Sequence, residues 1–166
     1  MKRKILVAGV GNIFLGDDAF GVEVVDRLQG HSWPDDDVTV VDFGIRSYDL
    51  AYALMKDWDL AILVDALPRG GKPGTVYVLE PDKPETLETP LALDAHSMNP
   101  VSVLQLVQAL GGRVGRMLVV GCEPQTLEPD ENGSIALSPP VRAAVDEAIR
   151  TIENWITCSL VAASAT

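Results

Sequence analysis

Residues 5–12 read Ile-Leu-Val-Ala-Gly-Val-Gly-Asn, an apolar run that ends in a glycine turn. Two adjacent carboxylates, Asp17 and Asp18, follow this turn and precede a segment with helical spacing, Ala19–Leu28. A buried strand, a glycine turn and a helix start commonly form a cradle for phosphate. Two negative charges in that cradle would repel phosphate. The stretch therefore predicts an α/β fold with a cation site at its first loop.

The glycine spacing is a poor match to the dinucleotide-binding fingerprint. That motif, GxGxxG, needs a third glycine at position 14, where this chain has Phe14. Asp42, at the end of the second predicted strand, resembles the acid that binds ribose in such folds. Asp17 and Asp18 would nevertheless face the pyrophosphate with like charge. We therefore expect no nucleotide cofactor, and a nucleotide-dependent oxidoreductase is the weaker alternative.

Length and composition are typical of one soluble globular domain. The chain has 166 residues, of which 47% are hydrophobic and 22% charged. Its net charge of −11 disfavours nucleic acid and anionic membranes as partners, because both attract basic surfaces. Cys122 and Cys158 match no zinc or redox spacing and fit a reducing, cytoplasmic location. No apolar run approaches the length of a membrane-spanning helix, so we expect no membrane insertion.

Strand and helix patterns alternate along the chain. The strands are predicted from apolar runs, at Ile5–Val10, Val38–Val41, Leu60–Val64, Thr75–Leu79 and Met117–Gly121. The helices are predicted from apolar residues at helical spacing, at Ala19–Leu28, Tyr48–Met55 with Ser47 as its cap, Asn99–Leu110 and Pro139–Thr157. Glu80–His96 is a long loop rich in proline and acidic residues.

The link Ala66–Gly74 is shorter than the roughly dozen residues that a parallel crossover needs. The fourth strand is therefore predicted to run antiparallel to the third. Together these patterns predict a three-layer α/β/α sandwich around a twisted, five-stranded and mostly parallel sheet. We expect a single domain over residues 1–157 and a frayed C-terminal tail over residues 158–166.

Three aspartates are predicted to lie at the carboxyl edge of this sheet. Asp18, Asp42 and Asp65 each follow the carboxyl end of a strand, where ligand sites of such sheets lie. Asp65 ends an apolar run, so its carboxylate is partly desolvated and needs hydrogen bonds or a metal. Helix capping by Asp18 and loop bracing by Asp65 remain open as local alternatives. Asp17 is expected to serve as a helix cap.

His96 adds a nitrogen ligand to these carboxylates. Taken alone, it is more simply interpreted as a surface histidine in a loop. Together with Asp18 and Asp65 it forms a set of two oxygens and one nitrogen with an open position, which suits zinc, nickel or similar divalent ions. His31, beside Trp33, is interpreted as structural or solvated. Since the chain has no GxSxG motif, any hydrolysis would rely on metal or carboxylate chemistry.

The motifs of the chain, taken in order, resemble the hydrogenase maturation proteases. These endopeptidases trim the C-terminal extension of the nickel–iron hydrogenase large subunit. The matching stretches are Gly9–Val22, Val41–Gly44, Ile62–Ala66, Pro73–Thr75, the His96 loop, Gly121–Pro129 and Leu137–Pro139. They extend over nearly the whole chain up to about residue 157, and their number and order make the resemblance specific.

The resemblance implies a role for each candidate residue. The metal-binding acids of the family fall on Asp18 and Asp65, and its histidine falls on His96. A further acid that the family needs after the second strand falls on Asp42. The resemblance thus implies Asp18, Asp42 and Asp65 as catalytic residues, and Asp18, Asp65 and His96 as metal ligands. The implied metal is nickel already loaded into the precursor, for which zinc or cadmium could substitute in vitro.

The resemblance also implies a partner, the precursor of a nickel–iron hydrogenase large subunit. The alternative is a non-catalytic, metal-binding maturation chaperone on the same fold. The chain departs from many members at Ala19, where they have glycine, and at Phe43, where they have Asp-Gly-Gly in place of Asp-Phe-Gly. Phe43, together with Ile45 and Arg46, is expected to alter the substrate groove.

Overall fold

The computed structural model describes residues 2–34, 36–81, 99–133 and 135–163. Its strands are β1 (Lys4–Val10), β2 (Asp37–Gly44), β3 (Leu60–Ala66), β4 (Val76–Leu79) and β5 (Met117–Cys122). Its helices are α1 (Phe20–Leu28), α2 (Ser47–Leu54), α3 (Pro100–Ala109) and α4 (Pro139–Ala163). A short 3-10 turn, Gly16–Ala19, leads directly into α1.

The five strands form one sheet in the order β2-β1-β3-β5-β4. β1 pairs in parallel with β2 and β3, and β3 pairs in parallel with β5. β4 pairs antiparallel with β5 at the edge of the sheet. The predicted direction of the fourth strand is therefore confirmed.

Two helical layers cover the two faces of the sheet. Alternate strand residues such as Ile5 and Val7 pack with α1 and α4, whereas Leu6 and Ala8 pack with α2 and α3. Helix α1 lies very close to the sheet, because a Cβ at Gly21 would overlap the backbone of β1 and β3. This arrangement confirms the predicted three-layer α/β/α sandwich.

Two strands extend further than the sequence predicts. β2 continues to Gly44 and β3 to Ala66, so that Asp42 and Asp65 lie inside strands rather than after them. The cause is pairing with neighbours, since Asp42 is in register with Gly9 of β1 and Asp65 with Gly121 of β5. Parallel pairing thus holds both aspartates on rigid backbone.

The helix ends agree with the sequence in part. Asn99 caps α3, where its side chain accepts a hydrogen bond from the Ser102 amide at 2.9 Å. The expected cap at Ser47 is wrong, because this residue is already the first of α2 and no side chain caps that end. α4 runs past the predicted end at Thr157, since neither glycine nor proline interrupts residues 141–163.

Parts of two sequence predictions lie outside the described residues. They are most of the long loop, residues 82–98, and the last residues of the expected tail, 164–166. The proposed domain limits therefore stay a prediction. Among the helices that the structure describes, none combines the length and the apolar character needed to cross a membrane.

Candidate active site

The loop after β1 holds Asp18 at the carboxyl edge of the sheet. Gly11 has a φ of 146°, and a Cβ there would overlap the carbonyl oxygen of Asp18, so this approach requires glycine. The Gly11 amide also donates to the Gly44 carbonyl at 3.0 Å, which ties the loop to the end of β2. The carboxylate of Asp18 accepts a hydrogen bond from the Asn12 amide at 2.7 Å. Backbone contacts therefore fix the position of Asp18.

Asp18 and Asp65 lie on neighbouring elements at the carboxyl edge, since the 3-10 turn that carries Asp18 packs against β3. Asp65 is 2% exposed, and its burial, followed by the charge of Asp18, raises its pKa well above the usual value against the lowering effect of the Ala66 amide. Burial also raises the pKa of the half-buried Asp18, although the Asn12 amide opposes this shift. No ion pair within the described chain involves either carboxylate. A cation bound between them would relieve the repulsion.

His96, the third expected ligand, lies outside the described residues. The described chain resumes at Asn99, and the direction in which α3 runs shows at which edge of the sheet Asn99 lies. A Cβ at Gly112, just after α3, would meet the side chain of Met55, just after α2. The C-terminal ends of α2 and α3 therefore lie side by side. Since α2 begins at the carboxyl end of β2, α3 also begins at the carboxyl edge of the sheet. The described chain therefore resumes at the edge where Asp65 lies.

The described residues do not by themselves form a complete metal site. Within residues 2–34, 36–81, 99–133 and 135–163, no group of three His, Cys, Asp or Glu side chains could hold a metal ion. The structure places Asp18 and Asp65 on neighbouring elements, because the 3-10 turn Gly16–Ala19 packs against β3, and together they supply two carboxylates. The third ligand expected from the sequence, His96, stays a prediction.

Asp42 lines a groove on the α1 side of the sheet. The groove has a volume of about 480 Å³, and Asp42 lines it together with Ile13 and Ala19. Asp42 faces the layer of α1, whereas Asp65 has the opposite orientation in its strand. Together with burial, the charge of Asp42 raises the pKa of Asp26 in the same groove. The Gly44 amide donates to one oxygen of Asp42 at 2.8 Å, so the side chain is held in place.

The expected role of Asp17 as a helix cap is wrong. No side chain caps the 3-10 turn or α1, because the turn already pairs the first amides, including that of Phe20 with the Asp17 carbonyl. The fully buried carboxylate of Asp17 instead accepts hydrogen bonds from Gln125, Thr126 and Ser138. It therefore connects distant segments of the chain.

Glu123 is a buried carboxylate that the sequence analysis did not single out. It accepts hydrogen bonds from the Arg69 amide at 2.8 Å, the Gly70 amide at 3.0 Å and the Tyr77 hydroxyl at 2.9 Å. Burial alone would raise its pKa, but these donors outweigh burial and lower it. Glu123 thus fixes the loop that follows Asp65. Its position directly after the apolar run of β5 is the signal that could have identified it.

Phe43 and His31 are two further residues for which the sequence makes a prediction. Phe43 is 6% exposed and packs in the core with α2 and α3, so its side chain does not line a surface groove, and the expected effect on the substrate groove stays a prediction for Ile45 and Arg46. The large side chain that is exposed next to it is Ile45. His31 stacks on Trp33 with 5.7 Å between ring centres and pairs with Glu153 at 3.1 Å, which confirms its structural interpretation.

Known proteins with the same fold and similar motifs identify the family. The family model described as hydrogenase maturation protease (HycI) matches residues 22–155. The chain belongs to the hydrogenase maturation protease family. Members of this family are endopeptidases, so the chain is a peptidase, as the motifs predict.

Individual relatives agree with this assignment. The chain is 32% identical over 156 residues to the hydrogenase expression/formation protein HupD of Rhizobium leguminosarum bv. viciae, covering 92% of this chain and 75% of that protein. It is 31% identical over 150 residues to the hydrogenase 2 maturation protease of Escherichia coli, covering 90% and 88%. The solved structure of the hydrogenase maturating endopeptidase HybD from E. coli superposes with a TM-score of 0.73 at 29% identity, covering 96% and 94%.

Proposed function

We propose that this peptidase removes the C-terminal extension of a nickel-loaded hydrogenase large-subunit precursor in the cytoplasm. The observation that supports this proposal is that Asp18 and the buried Asp65 both lie at the carboxyl edge of the sheet, where the 3-10 turn that carries Asp18 packs against β3. The names of the relatives place the family in hydrogenase maturation. The pair has no cationic partner among the described side chains, which leaves it available for a metal that arrives with the substrate.

The donor chemistry fits a divalent metal carried by the precursor. Asp18 and Asp65 supply oxygen donors, and burial of both makes a positive charge between them favourable. His96 supplies the nitrogen donor, and the fourth position stays open for a ligand from the precursor. In this proposal nickel is part of the substrate, and the protease binds it before it cuts the peptide. Zinc or cadmium accepts the same donors and would substitute in vitro.

Asp42 is suited to activate the attacking water. One of its oxygens accepts the Gly44 amide, which leaves the other free to face the groove where the scissile peptide lies. The water donates its proton to Asp42 as its oxygen bonds to the peptide carbonyl carbon. The carbon–nitrogen bond then breaks, and the proton passes from Asp42 to the departing amine. The peptide is cut without a covalent intermediate on the enzyme.

The direct test is to incubate the protein with nickel-loaded precursor in ¹⁸O-water and weigh the products. The expected result is a shortened large subunit with ¹⁸O in its new C-terminal carboxylate, together with the released peptide. The Asp42→Asn variant is expected to cut about 10²–10⁴-fold more slowly, since it cannot accept the proton. A precursor that is retained by the wild type but stays uncut would contradict the proposal and favour a metal-binding chaperone.

A further inference from the structure

Asp17 joins three segments that are far apart in sequence. Its Oδ2 accepts hydrogen bonds from the Gln125 amide at 2.8 Å and the Thr126 amide at 3.1 Å. The Ser138 hydroxyl donates to the same oxygen at 2.8 Å, and the Ser138 amide donates to Oδ1 at 2.7 Å. The 3-10 turn before α1, the segment after β5 and the start of α4 therefore meet at one carboxylate.

The contacts around Asp17 also hold the backbone of the turn. The Asp17 amide donates to the Thr126 carbonyl at 2.9 Å, so these two residues bond in both directions. A Cβ at Gly16 would lie 2.9 Å from the Thr126 carbonyl oxygen and 3.0 Å from that of Glu128. The turn is thus packed directly against residues 126–128. Rotation of the turn would break several hydrogen bonds at once.

An asparagine could not replace Asp17 in this environment. The four groups of the described chain that bond to the carboxylate are hydrogen-bond donors, and a carboxylate has only acceptors. The amide group of asparagine would place its own N–H donors against at least one of these donors. A buried polar group without a partner is unfavourable, so the turn would move to relieve the conflict.

Asp18 is the residue that such a movement would displace. It follows Asp17 directly, and its carboxylate accepts the Asn12 amide at 2.7 Å. The 3-10 turn that carries Asp18 packs against β3, the strand that holds Asp65. The spacing of the two carboxylates therefore depends on the orientation of the 3-10 turn.

We propose that Asp17 is a positioning residue for the protease reaction, which sets the placement of Asp18 relative to Asp65. The inference rests on the proposed function of that pair. It also gives a role to the Gly121–Pro129 and Leu137–Pro139 motifs, because their residues Gln125, Thr126 and Ser138 donate hydrogen bonds to Asp17.

The first test compares Asp17→Asn with Asp36→Asn. Asp36 is also a buried carboxylate, but it pairs with Arg3 at 2.7 Å before the start of β2, at the opposite edge of the sheet. Both variants are assayed where circular dichroism shows them folded. We expect kcat for precursor cleavage to fall about 100-fold in Asp17→Asn with KM nearly unchanged, and kcat to stay at the wild-type value in Asp36→Asn. Equal losses of kcat in the two variants would overturn the inference.

A milder pair of variants covers the case in which Asp17→Asn does not fold. Ser138→Ala removes one hydroxyl donor, and Ser138→Thr retains it on a half-buried side chain. We expect about a tenfold loss of kcat in Ser138→Ala and wild-type kcat in Ser138→Thr. The same loss in both variants would show that the hydroxyl contact to Asp17 does not matter.

A third measurement separates this inference from the proposed function, because it needs no substrate. The Asn12 amide is bonded to Asp18, so its hydrogen exchange reports on the placement of that carboxylate. We expect faster exchange at Asn12 in Ser138→Ala than in Ser138→Thr. Unchanged exchange would overturn the positioning role, even if the wild type cuts the precursor. Faster exchange in a protein that does not cut would instead contradict only the proposed function.

Discussion

The Asp65→Asn variant is expected to cleave the precursor at least about 10–100-fold more slowly while being more resistant to unfolding at neutral pH. The loss of activity follows because asparagine supplies no negative charge to the proposed metal position. The gain in stability follows because Asp65 is buried next to the charge of Asp18 and has no described cationic partner. Peptide release and thermal unfolding at pH 7 measure the two effects on the same samples.

The stability effect has a definite dependence on pH. Burial and Asp18 raise the folded-state pKa of Asp65, so the folded state holds this proton more tightly than the unfolded state. Protonated Asp65 stabilises the wild-type protein fully below the unfolded-state pKa of about 3.9. This stabilisation is lost as the pH rises through the folded-state pKa of Asp65. The asparagine side chain of the variant cannot ionise, so the melting temperature of the variant should exceed that of the wild type by a margin that grows from about pH 4 upward.

The matched control for this prediction is Asp36→Asn. Asp36 is buried as well, but it bonds to the guanidinium of Arg3 through two hydrogen bonds, so its charge is compensated. Its loss is expected to lower the melting temperature at pH 7 without slowing cleavage. A margin between Asp65→Asn and the wild type that does not change with pH would show that burial and the charge of Asp18 do not raise the pKa of Asp65.

The Gly11→Ala variant is expected to lose roughly 2–6 kcal/mol of unfolding free energy. About 1–3 kcal/mol comes from the overlap of the new Cβ with the Asp18 carbonyl, and about 1–3 kcal/mol from a side chain at a φ of 146°. Because the overlap involves Asp18 itself, cleavage should also fall in whatever fraction stays folded. Denaturant unfolding and the peptide-release assay check both parts.

Gly30→Ala isolates the contribution of the overlap. Gly30 also has a positive φ, 93°, but a Cβ there would meet nothing within 4 Å. This variant should lose only the backbone term of about 1–3 kcal/mol and cleave normally. If Gly11→Ala is no less stable than Gly30→Ala, the close approach of Asp18 to β1 is not the reason for glycine at that position.

The fold was predictable from the sequence because its strands are buried on both faces. The continuous apolar runs of β1, β3 and β5 predict the sheet, and the short link after β3 predicts the direction of β4. The strand ends were less predictable. Asp42 and Asp65 break the apolar pattern, yet pairing with Gly9 and Gly121 keeps them within strands. Hydrogen bonding to a neighbouring strand leaves no local signal in the sequence.

The candidate site was predictable only where topology alone determines it. Asp18 and Asp65 were expected to converge because parallel strands end at one edge, and the packing of the 3-10 turn against β3 agrees with that expectation. The partners of Asp17 lie more than 100 positions away, and no local pattern distinguishes this contact from a helix cap. The contacts of Glu123 likewise join residues that are 46 to 54 positions apart, so no local sequence pattern predicts them. The role of His96 remains a prediction from the motif.

We propose that Asp18 and Asp65, with His96, recognise the metal in the precursor before the peptide bond is cut. The most direct test is to present the wild-type protein with nickel-loaded and nickel-free forms of one precursor and weigh the products over time. The proposed recognition predicts that the loaded form loses its C-terminal extension and the nickel-free form does not. Equal rates of cleavage for the two forms would contradict it.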